Sequence, residues 1–184
     1  MFPLRDNIPS RHRPYVVWTL LVLNALFFLA CLGLSPAEEF KVFHIFGVVP
    51  ARYLSPQWAM WQGYPEGLLM PLVTHMFLHS GWLHLIANMW TLWIFGDNVE
   101  DVMGHIKYIV FYVAAAIGAG IAQVLISTGS DVPMVGASGA VSGLLAAYIL
   151  LFPHGRIRTL LTLGIFITMA MLPAWMMIGY WFVL

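Results

Sequence analysis

The sequence is short of charge. Only 9% of its 184 residues are Asp, Glu, Lys or Arg, while 61% are hydrophobic and the mean hydropathy is +0.84. A typical soluble domain is roughly 25% charged and about 45–50% apolar, so this chain lacks the polar residues a water-facing fold displays. The same shortage excludes intrinsic disorder, which needs a low apolar content. Eight basic residues balance eight acidic ones. No basic face is left over, and no nucleic-acid partner is expected. A single cysteine, Cys31, excludes a disulfide framework and a thiolate zinc site. The sequence also has no repeat, low-complexity tract or second domain. What remains is a small polytopic membrane protein built as one domain.

Long apolar runs dominate. Residues 15–34 carry no charge. As a helix rising about 1.5 Å per residue they would cross a hydrocarbon core of roughly 30 Å. The run is too long for a cleaved signal peptide, and no small-x-small site follows it. Interval 35–80 is mixed, with five prolines, Glu38, Glu39, Lys41, Arg52, Glu66, Trp58 and Trp61. It reads as a long structured loop at the membrane surface, a lipid-bilayer contact. Further apolar runs cover 82–103, 106–127, 137–152 and 160–184, the last with Pro173 as a kink point. The expected architecture is an all-α polytopic membrane protein with five transmembrane spans. A cytoplasmic segment, 1–14, would precede a membrane domain, 15–184. Alternating spans put Arg5, Arg11, Arg13, Lys107, Arg156 and Arg158 on one side, against Lys41 and Arg52 on the other. That asymmetry predicts a cytoplasmic N-terminus.

Two polar constellations interrupt the apolar runs, where polar groups are costly and mark functional candidates. In the first, His84 and Asn88 are four apart and share a helix face. They would project together, either toward a ligand or onto buried backbone groups. The second is Gly136-Ala137-Ser138-Gly139-Ala140-Val141-Ser142-Gly143, which opens the fourth run. A serine at a helix start sits beside unpaired N–H groups and the positive end of the dipole. Those groups can stabilise an oxyanion. Against that, Ser138 is also a plain N-cap, and Gly139 with Gly143 also makes a helix-packing face. A three-imidazole metal site from His75, His79 and His84, with Glu66 as a fourth ligand, fits zinc chemistry. The five-residue step to His84 and the proline-rich loop weigh against it, and no metal or cofactor is expected. Asp97, Glu100, Asp101 and Lys107 read as a solvated turn.

Together His79, Gly81, His84, Asn88 and Gly136-Ala137-Ser138-Gly139, with Trp90, Phe95, Gly96, Glu100 and Gly104 between them, resemble the rhomboid family of intramembrane serine proteases. The resemblance covers residues 70–184 well and the earlier part loosely. It implies a rhomboid-like helical bundle of six spans, acting on transmembrane protein substrates. It implies Ser138 as nucleophile, and an oxyanion hole from the Ser138 N–H with the His84 and Asn88 side chains. Backbone at Gly136 or Ala137 would line the same pocket. His79 would hold the loop to the second helix by hydrogen bonds, and Glu100, Gly81, Gly136 and Gly139 would be structural. The compact chain and its motif variant imply a multi-pass protein of a bacterial inner membrane.

Two residues depart from the pattern. Serine needs a base, which the family supplies from a histidine on its sixth helix. Here no histidine follows His154, at the opposite end of the fourth run from Ser138. The 184 residues are therefore expected to be an incomplete, inactive form of an endopeptidase. The alternative is a catalytically dead relative that binds transmembrane clients. Ser142 stands where many relatives carry an aromatic partner for the base.

Overall fold

The computed structural model describes residues 1–65, 69–163 and 166–183. Helix α1 spans Tyr15–Cys31. Four short helices follow: α2 (Pro36–Phe46), α3 (Pro50–Leu54), α4 (Pro56–Trp61) and α5 (Pro71–Thr74), then a 3-10 turn, His75–Phe77. Proline occupies the first turn of each of these four helices, where its missing N–H costs nothing. Four of the five prolines that made 35–80 read as a loop thus start helices. At α2, Ser35 N–H also donates to Glu38 at 2.8 Å.

The long helices are α6 (Trp82–Met103), α7 (His105–Ile126) and α8 (Ser138–Leu151), with α9 (Ala174–Val183) last. Gly104, at φ 75°, turns the chain between α6 and α7. The core lies among these helices: Leu92, Phe95 and Val99 of α6, Tyr108 and Tyr112 of α7, and Val141, Leu144 and Tyr148 of α8 are buried. Along the α7–α8 contact the facing residues are small. A Cβ on Gly143 would lie 2.6 Å from Ala115 Cβ, and one on Gly139 would overlap Ala119 Cβ. Only glycine lets the two backbones approach this closely.

The structure corrects the expected all-α bundle of five spans. Among the described residues one helix, α7, is long and apolar enough to cross a membrane, and only 22% of its most apolar stretch is buried within the chain. Helix α1 stops at 17 residues and α8 at 14. Helix α6 has the length, but Asp97, Glu100 and Asp101 end its apolar run. A multi-pass inner-membrane topology with a cytoplasmic N-terminus therefore loses its basis, since the orientation argument needed alternating spans.

The fifth run is mostly not helical. Strands β2 (Arg156–Leu163) and β3 (Phe166–Pro173) form an antiparallel hairpin, and β1 (Phe2–Asp6) pairs with β2 in the order β1-β2-β3. The cause is legible in β2: Arg156, Ile157, Arg158 and Thr159 alternate, with Ile157 and Thr159 buried and both arginines exposed. That is the period of a strand.

Candidate active site

The candidate site lies where the 3-10 turn and the start of α6 meet the loop before α8. Val48 and Met134 exchange backbone hydrogen bonds of 3.0 and 2.8 Å, anchoring that loop to the end of α2. Two residues on, Gly136 N–H donates to the His75 carbonyl at 2.9 Å. Gly136 has φ +115°, and a Cβ there would lie 2.5 Å from His84 Nε2. The position needs glycine twice over, for a backbone angle that L side chains avoid and for the imidazole against its Cα. The His84 ring edge is thereby seated two residues before Ser138.

Ser138 is the first residue of α8 and half-buried. The first intrahelical bond runs from Val141 N–H to the Ala137 carbonyl at 2.9 Å. The N–H groups of Ser138, Gly139 and Ala140 precede it and have no partner within the helix. They form a donor cluster at the positive end of the dipole. Among the described residues no side chain is hydrogen-bonded to Ser138 Oγ. His84 Nδ1 bonds instead with Ser80 Oγ at 3.2 Å. One turn along α6, Asn88 donates an amide N–H to the His84 carbonyl at 2.9 Å, and its Oδ1 is buried without a partner. The second amide N–H is left to point elsewhere.

His79 is only 2% exposed, and its ring meets that of His84 edge-on at 5.0 Å between centroids. Among the described residues neither ring nitrogen has a hydrogen-bond partner. The bonds expected to tie this loop to the second helix are absent from His79. Burial, and then the proximity of His84, push its pKa down to about 4, so the ring is neutral at pH 7. The tie is made by His75 instead. Its Nε2 contacts the Ala116 carbonyl of α7 at 3.3 Å, while its own carbonyl receives Gly136 N–H. Sequence reading gave His75 no role beyond a metal site; its only signal was a histidine inside the apolar stretch Leu72–Leu78. Among the described residues no three histidine, cysteine or acidic groups come together as a metal cluster, and Glu66 lies outside the described residues. Gly81, at φ 170°, is in extended backbone open to any residue, and a Cβ there would meet nothing within 4 Å.

Glu100 lies at the other end of α6, sixteen residues and about 24 Å from His84 along the helix axis. It is buried, which corrects the reading of Asp97–Lys107 as a solvated turn. Its carboxylate accepts Val16 N–H and Val17 N–H at 2.9 and 2.8 Å and bonds His105 Nδ1 at 2.5 Å. It caps α1, whose own N-cap residue is a proline. Next to it, Asp101 accepts Arg11 N–H and His12 N–H. Asp6 receives Asn98 Nδ2 at 2.6 Å and Tyr148 OH at 2.7 Å.

A serine thus opens a glycine-seamed helix, and the ring edge of His84 lies against the glycine two residues before it. The rhomboid domain model matches residues 65–184, and the chain belongs to the rhomboid family. It is 30% identical over 166 residues to the Arabidopsis thaliana rhomboid-like protein 11, chloroplastic, covering 89% of this chain and 52% of that protein. It is 27% identical over 140 residues to the mouse presenilin-associated rhomboid-like protein, mitochondrial (75% and 33%). With the Bacillus subtilis rhomboid protease GluP it shares 35% over 99 residues (54% and 19%). The chain thus spans between a fifth and about half of the length of these relatives.

Proposed function

We propose that this chain carries the nucleophile and oxyanion elements of a rhomboid-type serine endopeptidase that cleaves transmembrane protein substrates. The observation that carries the reading is the His84 ring edge held against Gly136, beside the free N–H groups that open α8. In the reaction, Ser138 Oγ attacks a peptide carbonyl carbon and loses its proton to a base. The carbonyl oxygen becomes an oxyanion that accepts hydrogen bonds from the Ser138 N–H, His84 and Asn88. Collapse expels the amine, which takes the proton, and water then hydrolyses the acyl ester. His84 needs an N–H at Nε2 to donate, which its bond to Ser80 at Nδ1 permits.

A second reading is favoured by one observation. No imidazole is bonded to Ser138 Oγ among the described residues. On that reading the 184 residues bind transmembrane clients without cutting them. Cleavage of a transmembrane reporter, measured beside its co-purification with the protein, separates the two. Cleavage abolished by Ser138→Ala supports the peptidase. Capture without cleavage, unchanged by Ser138→Ala, supports the binder. Cleavage that persists in Ser138→Ala overturns the assignment of the nucleophile.

A further inference from the structure

A second cleft lies away from Ser138, between α2, α4 and the loop before α8. It encloses about 430 Å³, within the roughly 300–1,000 Å³ of small-molecule sites. Its walls are aromatic. Phe40 and His44 stack at 3.8 Å between centroids, Tyr64 lies 6.3 Å from His44, and Trp58 lies 5.6 Å from Tyr64. His44 Nδ1 bonds with the Phe40 carbonyl at 2.8 Å, which fixes the ring in the wall. Two opposite charges complete the lining, Asp131 and Lys41. Asp131, Phe40 and His44 also line a second cleft of about 360 Å³.

Each feature selects for something. Aromatic faces within about 6 Å of a site attract cations, and quaternary ammonium most of all, because it is bulky and weakly hydrated. This fold already uses the interaction, for the buried Arg52 guanidinium sits 5.3 Å over the Tyr64 ring. A carboxylate in the same wall adds charge attraction. A purely cationic ligand would leave Lys41 opposed, whereas a zwitterion satisfies both ends. Beside the cleft, α4 leaves Met60 and Trp61 at 70% and 83% exposure, and tryptophan is an amphipathic side chain that settles at a lipid headgroup boundary.

We propose that this cleft binds a phosphocholine-type zwitterion, with its trimethylammonium against Trp58 and the Phe40–His44 stack beside Asp131, and its phosphate toward Lys41. The ligand chemistry is that of a phospholipid headgroup or of the free soluble compound. The bridge between Val48 and Met134 joins α2 to the loop that carries both Asp131 and Gly136, so occupancy bears on the candidate site without touching it.

The test uses the full chain reconstituted in phosphatidylglycerol nanodiscs. Phosphocholine, choline and glycerol phosphate are titrated in parallel, with saturation-transfer NMR as the readout. Phosphocholine is expected to bind at least ten-fold more tightly than either half-ligand. Asp131→Asn and Trp58→Leu should each weaken it ten-fold or more. Lys41→Gln, a change on an exposed side chain that leaves packing intact, should weaken it about three-fold while leaving choline binding unchanged. A second arm adds phosphatidylcholine to the nanodiscs. Loss of soluble phosphocholine binding there assigns the site to a lipid headgroup, and its persistence assigns it to the free compound. Equal binding of phosphocholine and glycerol phosphate, or phosphocholine binding unmoved by both Lys41→Gln and Asp131→Asn, overturns the proposal.

Discussion

The two ends of α6 carry similar numbers of polar side chains and treat them in opposite ways. At its C-terminal end the carboxylates are saturated: Glu100 has three partners, Asp101 accepts two backbone N–H groups, and Asp6 receives Asn98 and Tyr148. At its N-terminal end the polar atoms are under-used. Both nitrogens of His79, Oδ1 of Asn88 and Nδ1 of His75 are buried without partners. A buried polar atom left unpaired costs about 1–3 kcal/mol. The carboxylates at the first end are satisfied, although Asn98 Oδ1 there is also buried without a partner among the described residues, whereas at the second end the unpaired atoms belong to two imidazoles and an amide.

Substitutions at the two ends should therefore separate activity from stability. The largest effect is expected at Gly136→Ala, which drives a methyl into His84 Nε2 and forces a residue with a Cβ to φ +115°. Reporter cleavage should fall by more than about 100-fold, the cost of displacing a reacting group by an ångström. An activity near the parent's would mean that His84 has no part in the chemistry. At the other end, Glu100→Ala should cost about 2–4 kcal/mol in unfolding free energy, because two helix-start N–H groups lose a charged acceptor. Cleavage per folded molecule should stay unchanged, and its loss would break the contrast.

Gly139→Ala is intermediate. It overpacks the α7–α8 seam by a methyl and should cost about 1–3 kcal/mol, recovered in the double variant with Ala119→Gly. Failure of that rescue would place the strain elsewhere. His79→Leu should change stability at neutral pH by less than about 1 kcal/mol, since no hydrogen bond is lost.

The remaining effects are in the pH dependence, and they have opposite signs. The pKa of His79 is depressed from 6.5 to about 4. Its contribution is present above pH 6.5 and lost as the pH falls toward 4. The pKa of Asp6 is raised from 3.8 to about 6 by burial, against the pull of its Tyr148 bond. Its contribution is present below pH 3.8 and lost as the pH rises through 6. Relative to the parent, His79→Leu should therefore lose a rise in stability between pH 4 and 6.5, and Asp6→Asn should lose a fall between about 4 and 6. Denaturant midpoints across that range check both signs.

The helices were more legible than their setting. The interval 82–103 is the helix Trp82–Met103, and the helix of the fourth run starts at Ser138, because apolar spacing is a local signal. Membrane crossing was over-read, since apolar composition counts residues but not helix length. Period-two alternation at Arg156–Thr159 was hidden inside a strongly apolar stretch, and the partner strand Phe2–Asp6 lies more than 150 residues away. No local pattern reports such a pairing. In the candidate site, spacing paired His84 with Asn88 and put Ser138 at a helix start, and their proposed roles rest on the family resemblance. Spacing could not reveal that His75 pins the loop through its backbone carbonyl, because every residue has one. Nor could it reveal that Glu100 caps a helix more than 80 residues earlier.

The seam between α7 and α8 has a last consequence. It is made of Ala115, Ala119, Gly139 and Gly143, residues with no side-chain torsion to populate. Closing it costs no rotamer entropy, and warming it offers no alternative rotamer through which the helices could slip. The height of Ser138 along α7 is thus set by backbone against backbone, a gauge without moving parts.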